Sequence, residues 1–216
     1  MRPSFPALVL LLALPASVPL GTGAGPAQQT DLACITMNTD RLPLDTRKSP
    51  LDSMSFQVRG QPVKICYGRP YMRDRQIFGG LLPYDSLWRT GANEPTMIHT
   101  SVGLDIAGIQ VPAGTYSLYT IPHQGDWTLI VNRSITQWGE EHQYTDEVRA
   151  QEAGRTTVKS EAIDAPVEQF TIRAEPTESG ARVLLEWERT RVVIPISAAP
   201  APAESRPQPG HTKATA

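Results

Sequence analysis

The sequence predicts an all-β protein, an antiparallel two-sheet sandwich or open barrel of roughly eight to ten strands with long ordered loops. Three observations carry this. Short runs alternate apolar and polar residues with a period of two, turn residues separate them roughly every 8–12 positions, and a helical pattern is confined to one short stretch.

The chain opens on an export signal. Arg2 supplies the basic start, Leu8 to Leu14 the apolar centre, and small residues follow. Pro15 and Pro19 interrupt the apolar stretch, which is too short to span a membrane. Cleavage after Ala27, with Gly25 at the third position before the cut, is preferred; cleavage after Ala24 also satisfies the small-residue rule. Cys34 lies too far downstream of the apolar run, behind Asp31-Leu32-Ala33, to be a lipid-anchored cysteine. The expected location is periplasmic or extracellular.

Residues 28–50 read as an irregular leader, residues 51–196 as one β domain, and residues 197–216 as a Pro/Ala-rich tail too poor in apolar surface to order itself. Within the domain, strands are expected at Ser53–Val58, Val63–Tyr67, Thr96–Thr100, Ala113–Ile121 and Asp126–Asn132. Further strands are expected at Thr156–Glu161, Gln169–Ala174, Arg182–Glu188 and Arg191–Ile196. Tyr144–Glu152 is the short helix, ended by Gly154. Turns fall at Ala107-Gly108, Pro112 to Gly114, Pro122 to Asp126 and Glu178 to Gly180. Trp127 and Trp187 are in phase with aliphatic neighbours and belong to the core, whereas Trp88 and Trp138 stand at turns and are candidates for an exposed aromatic platform.

Charge excludes two classes of partner. Loss of the signal removes only Arg2 and leaves a net charge of about −3, unlike a nucleic-acid binder or a polybasic membrane binder. No transmembrane segment is expected. Two cysteines, Cys34 and Cys66, remain in the exported chain. In an oxidising compartment they form one disulfide; in the rival reading Cys66 is a small buried residue and Cys34 is free. No metal site is expected, because His99, His123, His142 and His211 lack zinc spacing and no CxxC occurs. No cofactor motif is present either. The Gly79-Gly80 pair lacks the frame of a phosphate loop and reads as a turn.

The stretch Tyr67 to Glu94 concentrates Arg69, Arg73, Arg75, Arg89, Trp88, Asn93 and Glu94 in text that is neither helix nor strand. An Arg fork, an indole face and matched amide and carboxylate groups are equipment for a small polar or sugar-like ligand. Arg69, Arg75, Trp88, Arg89, Asn93 and Glu94 are therefore the ligand-binding candidates. The competing structural reading pairs Arg89 with Glu94 beneath Trp88. In a hydrolase reading, Glu94 acts with Asp85 or His99 as acid and base; in a third, the protein is a structural envelope component.

The motifs YGRP at 67–70, RQIFGGLLPY at 75–84, WRTGANE at 88–94, PAGTYSLYTIP at 112–122, Trp127 with Asn132, Trp138-Gly139 and LLEWERTRVVIPI at 184–196 follow one another in this order. Together they resemble the secreted bacterial family called domain of unknown function 2911. The resemblance covers most of the middle of the chain and implies a secreted β domain, with no reaction attached. The chain departs from the family pattern at 140–160, which lacks strand-like text after Trp138-Gly139. Intact-mass analysis of protein exported by a bacterial host should show loss of the first 24–27 residues; a full-length or lipid-modified chain would contradict the export reading.

Overall fold

The computed structural model describes residues 32–200; the expected export signal, its expected cleavage point and the stretch beyond Pro200 lie outside them. The described chain is all-β. Nine strands, β1 (Leu51–Val58), β2 (Gln61–Gly68), β3 (Thr96–Thr100), β4 (Leu104–Ile106), β5 (Ile109–Val111), β6 (Gly114–Ile121), β7 (Trp127–Asn132), β8 (Glu152–Thr177) and β9 (Gly180–Ala198), form one antiparallel sheet. Its order is β1-β2-β3-β6-β7-β8-β9-β4-β5, and it is not closed. The all-β class and the strand number fall within expectation, and of the two forms anticipated the single unclosed sheet is on the side of the open barrel, not of two separate sheets.

The curl depends on β8 and β9. Period-two alternation suggests four strands over 156–196, with Asp164 and Pro166 falling between the first two. The backbone instead continues through this stretch and shifts register between Ala162 and Val167 and again between Val167 and Thr171. Such bulges bend a strand and increase its twist without ending it. As a result β8 pairs with β7 along its first part (Glu152 to Val158) and with β9 from Lys159 onward. Near the bend, the buried carboxylate of Glu186 receives hydrogen bonds from Arg173 Nε at 2.9 Å and Arg191 Nε at 2.5 Å. Burial raises its pKa, but those two guanidinium groups outweigh burial and hold it below the ordinary 4.5. Strands β4 and β5, absent from the sequence expectation, flank the anticipated Ala107-Gly108 turn and extend the sheet beyond β9. Ser197 and Ala198, expected to open the tail, instead pair with Asp105 and Leu104.

Alternation decides which residues the curl encloses. Tyr116 and Leu118 of β6, Trp127, Leu129 and Val131 of β7, Phe170 and Ile172 of β8, and Val183, Leu185 and Trp187 of β9 all join one buried cluster. The opposite face of β6 and β7 is buried as well. There Tyr119 and Ile130 pack with Tyr144 and Val148 of the 133–151 segment, which contains the 3-10 turn Glu141–Gln143 and the one-turn helix α1 (Asp146–Arg149). This segment covers the sheet where the family-like pattern lapses.

The leader is irregular yet docked. Cys34 and Cys66 are joined by a disulfide across a sequence separation of 32, which ties the leader to β2. Replacing both cysteines by serine should lower unfolding free energy by about 3–4 kcal/mol at most, as measured by denaturant melts under oxidising conditions. Unchanged stability would mean that the leader contributes nothing to the folded unit.

Candidate functional site

The Arg-rich stretch does not converge on one point. Arg69 donates to Asp52 Oδ2 at 2.9 Å, to the Phe170 carbonyl at 3.1 Å and to Thr171 Oγ1 at 2.9 Å, so it fastens β1 and β2 to the middle of β8. Arg75 turns back onto the carbonyls of Met72 and Tyr71, at 2.8 and 2.7 Å, and closes its own loop at the surface. Trp88 corrects the platform expectation. It is 5% exposed and lies against Phe78, Trp127, Phe170 and Trp187 in an aromatic cluster, with its indole N–H bonded to the Gly91 carbonyl at 3.0 Å. Its backbone pairs with Thr120 of β6, which fixes the start of the 88–94 loop on the sheet.

The loop then turns sharply. Thr90 and Asn93 both have positive φ, at 54° and 67°. For a β-branched residue this conformation is costly and persists only where the surroundings hold it. Thr90 is fully buried, its hydroxyl lies 3.1 Å from Thr120 Oγ1, and its carbonyl accepts from Thr96 Oγ1 at 2.6 Å. Gly68 lies where a Cβ would collide with the Ala92 carbonyl oxygen, so the end of β2 can approach this loop only as glycine.

The Glu94 carboxylate also departs from expectation, since its partner is Arg47 of the leader and not Arg89. Arg47 Nη1 meets Glu94 Oε2 at 2.7 Å and Nη2 meets Oε1 at 3.0 Å, a bidentate pair whose side chains are 0% and 5% exposed. The Met37 backbone N–H adds a bond to Glu94 Oε1 at 2.6 Å. Arg47 also donates through Nε to the Leu42 carbonyl and through Nη2 to the Met37 carbonyl, at 3.2 and 2.9 Å. Arg89 instead donates from Nη1 to the carbonyls of Asn93 at 2.7 Å and Trp138 at 3.0 Å. Burial lowers the Arg89 pKa, opposed by Glu140, Tyr119 and Glu94, and Arg89 remains the cation. Asn93 Nδ2 donates to the Ser49 carbonyl at 2.9 Å. Arg89, Asn93 and Glu94 thus form one polar knot that holds the leader on one side and Trp138 on the other.

The knot supports a cleft of about 500 Å³ lined by Met37, Asn38, Thr136, Gln137, Trp138 and Gln143. The Arg47 guanidinium carbon sits 5.9 Å from the Trp138 ring centroid, a distance at which the cation attracts the ring face. Gln137 is oriented by Ser134 Oγ at 2.7 Å and by the Tyr119 hydroxyl at 2.7 Å. Burial pushes the Tyr119 hydroxyl up to about 12, opposed by the Gln137 bond and the Arg89 charge, so it is neutral. Gln143 Oε1 is one of two buried side-chain polar atoms without a hydrogen-bond partner among the described residues, the other being His99 Nε2. Three carboxamides, one hydroxyl and an indole make a polar lining without an ionisable group. That chemistry fits neutral hydroxyl-bearing ligands.

A scan of family models matches residues 49–196 to the family described as protein of unknown function (DUF2911). The chain belongs to this family. No curated protein and no solved structure matches it. The DUF2911 span contains Trp88 to Glu94, Trp138 and Gln143, whereas Met37, Asn38 and Arg47 precede it. One wall of the cleft and the cation paired with Glu94 therefore come from outside the family-matched span. Sequence reasoning missed Arg47, Met37 and Asn38 because a leader without periodicity carries no local signal of where it docks. The one usable hint was the cysteine pair, which brings Cys34 to β2.

The acid and base partners considered for Glu94 are engaged elsewhere. Asp85 lies with His123, Nδ1 to Oδ1 at 2.5 Å. His99 is buried in β3, bonded to Thr115 Oγ1 at 3.0 Å, and burial with the Lys64 charge lowers its pKa, so it is neutral. Among the described residues no group of three His, Cys, Asp or Glu side chains is arranged to hold a metal ion. Arg47→Ala should cost about 3–5 kcal/mol in denaturant melts by leaving a buried carboxylate unpaired. Glu94→Gln should cost less because it keeps an acceptor. Arg89→Ala should cost about 2–4 kcal/mol through its two orphaned carbonyls; near-neutral values for both arginines would contradict a structural knot.

Proposed function

We propose that the protein is an exported binding module for a small, uncharged polar or sugar-like ligand, held in the cleft over Trp138. The observation that carries this reading is an indole face beside three carboxamides in one concavity, one of them belonging to Gln143, whose Oε1 is buried without a partner. An acceptor taken out of water without a partner is costly, and turning the Gln143 side chain toward a ligand hydroxyl in the cleft would satisfy it. The engagement of Glu94 by Arg47 and the Met37 amide favours binding over acid–base chemistry at this loop, since a general acid must exchange protons with a substrate. The disulfide supports an oxidising compartment and hence export. Relative to the original candidates, the ligand contacts move from Trp88 and Arg89 to Trp138, Asn38 and Gln143, and Arg89, Asn93 and Glu94 become the support beneath them.

The test is a thermal-shift and calorimetric screen of the exported form against neutral mono- and disaccharides and polyols. A ligand at about 100 times its Kd should stabilise the fold by about 2.7 kcal/mol. Trp138→Ala and Gln143→Ala should remove that gain while each folds with an unchanged strand signature. Binding that survives both substitutions would contradict the cleft. Absence of any stabilising ligand would favour the envelope-component reading.

A further inference from the structure

A second group of side chains lies apart from the Trp138 cleft. Asp85 sits in the loop before Trp88 with φ at 65°, and its N–H bonds to the Pro122 carbonyl at 2.8 Å, which places it against the β6–β7 turn. His123 occupies that turn. Its Nδ1 meets Asp85 Oδ1 at 2.5 Å and its Nε2 meets Thr128 Oγ1 of β7 at 3.1 Å. A carboxylate on one ring nitrogen selects the tautomer with its proton on Nδ1, leaving the Nε2 lone pair facing the hydroxyl. This is the hydrogen-bond order of a carboxylate, a general base and an oxygen nucleophile. His123 and Thr128 are half-buried, and the Asp85 side chain is 79% exposed.

Of this group Asp85 lines a cleft of about 170 Å³, together with Ile121, Glu141, Tyr144, Arg149 and Arg155. Ile121 is the register partner of Thr128, so their side chains share a face of the sheet. Arg155 is taken up by Glu152, with two bonds of 2.6 Å. Arg149 is not, because its nearest carboxylate, Asp146, lies 4.0 Å away and is fully exposed. Its guanidinium carbon rests 5.8 Å from the Tyr144 ring centroid. Besides the carboxylates of Asp85 and Glu141, the lining thus holds two guanidinium groups, of which Arg149 is the one not taken up by close hydrogen bonds to a carboxylate. The two clefts share the 141–144 segment as a wall, Gln143 lining one and Glu141 with Tyr144 the other.

We propose that Asp85, His123 and Thr128 form a hydrolytic site for small carboxylic esters that carry a negative charge, with Arg149 holding that charge. Thr128 Oγ attacks the ester carbonyl carbon while its proton passes to His123 Nε2, and the resulting imidazolium faces the Asp85 carboxylate. The bond to the leaving oxygen breaks as His123 returns the proton to it, releasing the alcohol and leaving an acyl group on Thr128. Water then attacks the acyl carbon through the same base, the Thr128 oxygen regains a proton, and the carboxylic acid departs.

The test compares mono-4-nitrophenyl succinate with 4-nitrophenyl acetate as substrates of the purified protein. The wild type should hydrolyse the succinate ester faster than buffer and faster than the acetate, and rapid-quench peptide mapping should find the succinyl group on Thr128. Thr128→Val, which keeps the shape of the side chain, and His123→Gln should each lower the rate about 100-fold or more. Arg149→Gln should bring the two esters to nearly equal rates. Circular dichroism and thermal midpoints establish that each variant is folded. Wild-type hydrolysis no faster than buffer, an acyl group mapped to another residue, or full activity in folded Thr128→Val would each overturn the proposal.

Discussion

The buried pair of Arg47 and Glu94 is the contact on which the rest of the candidate site depends. Removing two charges from water costs several kcal/mol each, and this is offset only when geometry is good and the remaining hydrogen-bonding capacity is filled. Both conditions hold here. The pair is bidentate, the Met37 amide completes one carboxylate oxygen, and the Leu42 and Met37 carbonyls occupy two of the other three guanidinium protons. Arg47 in turn lies near the Trp138 ring, and Arg89 holds the Trp138 carbonyl. One ion pair thus couples an irregular leader, the strained 88–94 loop and the aromatic wall of a cleft.

That coupling explains a division of labour along the segment between β2 and β3. Its apolar members, Phe78 and Trp88, are inserted into the enclosed core, where Trp88 stacks on Trp187 with ring centroids 5.9 Å apart. The amides of Ile77 and Phe78 are received by the Glu188 carboxylate of β9, each at 3.3 Å. With its loop pinned at both ends, the segment can hold Thr90 and Asn93 at unfavourable φ without the cost being relieved by local movement. Gly139 belongs to the same arrangement. Its φ is 88°, and a Cβ there would stand 2.7 Å from Pro95 Cγ, so the Trp138-Gly139 pair packs directly on the end of the loop.

Much of the fold was legible because burial on one face of a strand leaves a period-two trace. The runs at Thr96–Thr100, around Tyr116 and Leu118, and around Trp127, Leu129 and Val131 became β3, β6 and β7 as read. The long strands were not legible as such, because Pro166 and the bulges it accompanies interrupt alternation locally while the chain keeps its course. Strands β4 and β5 have three residues each, too few for a period to register. Trp88 misled for a related reason. Between Leu87 and Arg89 it has no periodic neighbours, so its burial is decided by Phe170 and Trp187, which are distant in sequence. The same holds for His123, which looked unremarkable in a turn and acquired Asp85 and Thr128 only through folding.

Joined through Glu94, the leader and the β domain should open as one cooperative unit. Native-state hydrogen exchange at the Met37 amide tests it most directly, since that N–H is itself the donor to Glu94 Oε1. Exchange there should be governed by global unfolding, with an opening free energy equal to that of the β3 and β6 core amides. Exchange at the rate of a frayed chain end, while the core amides remain protected, would contradict it.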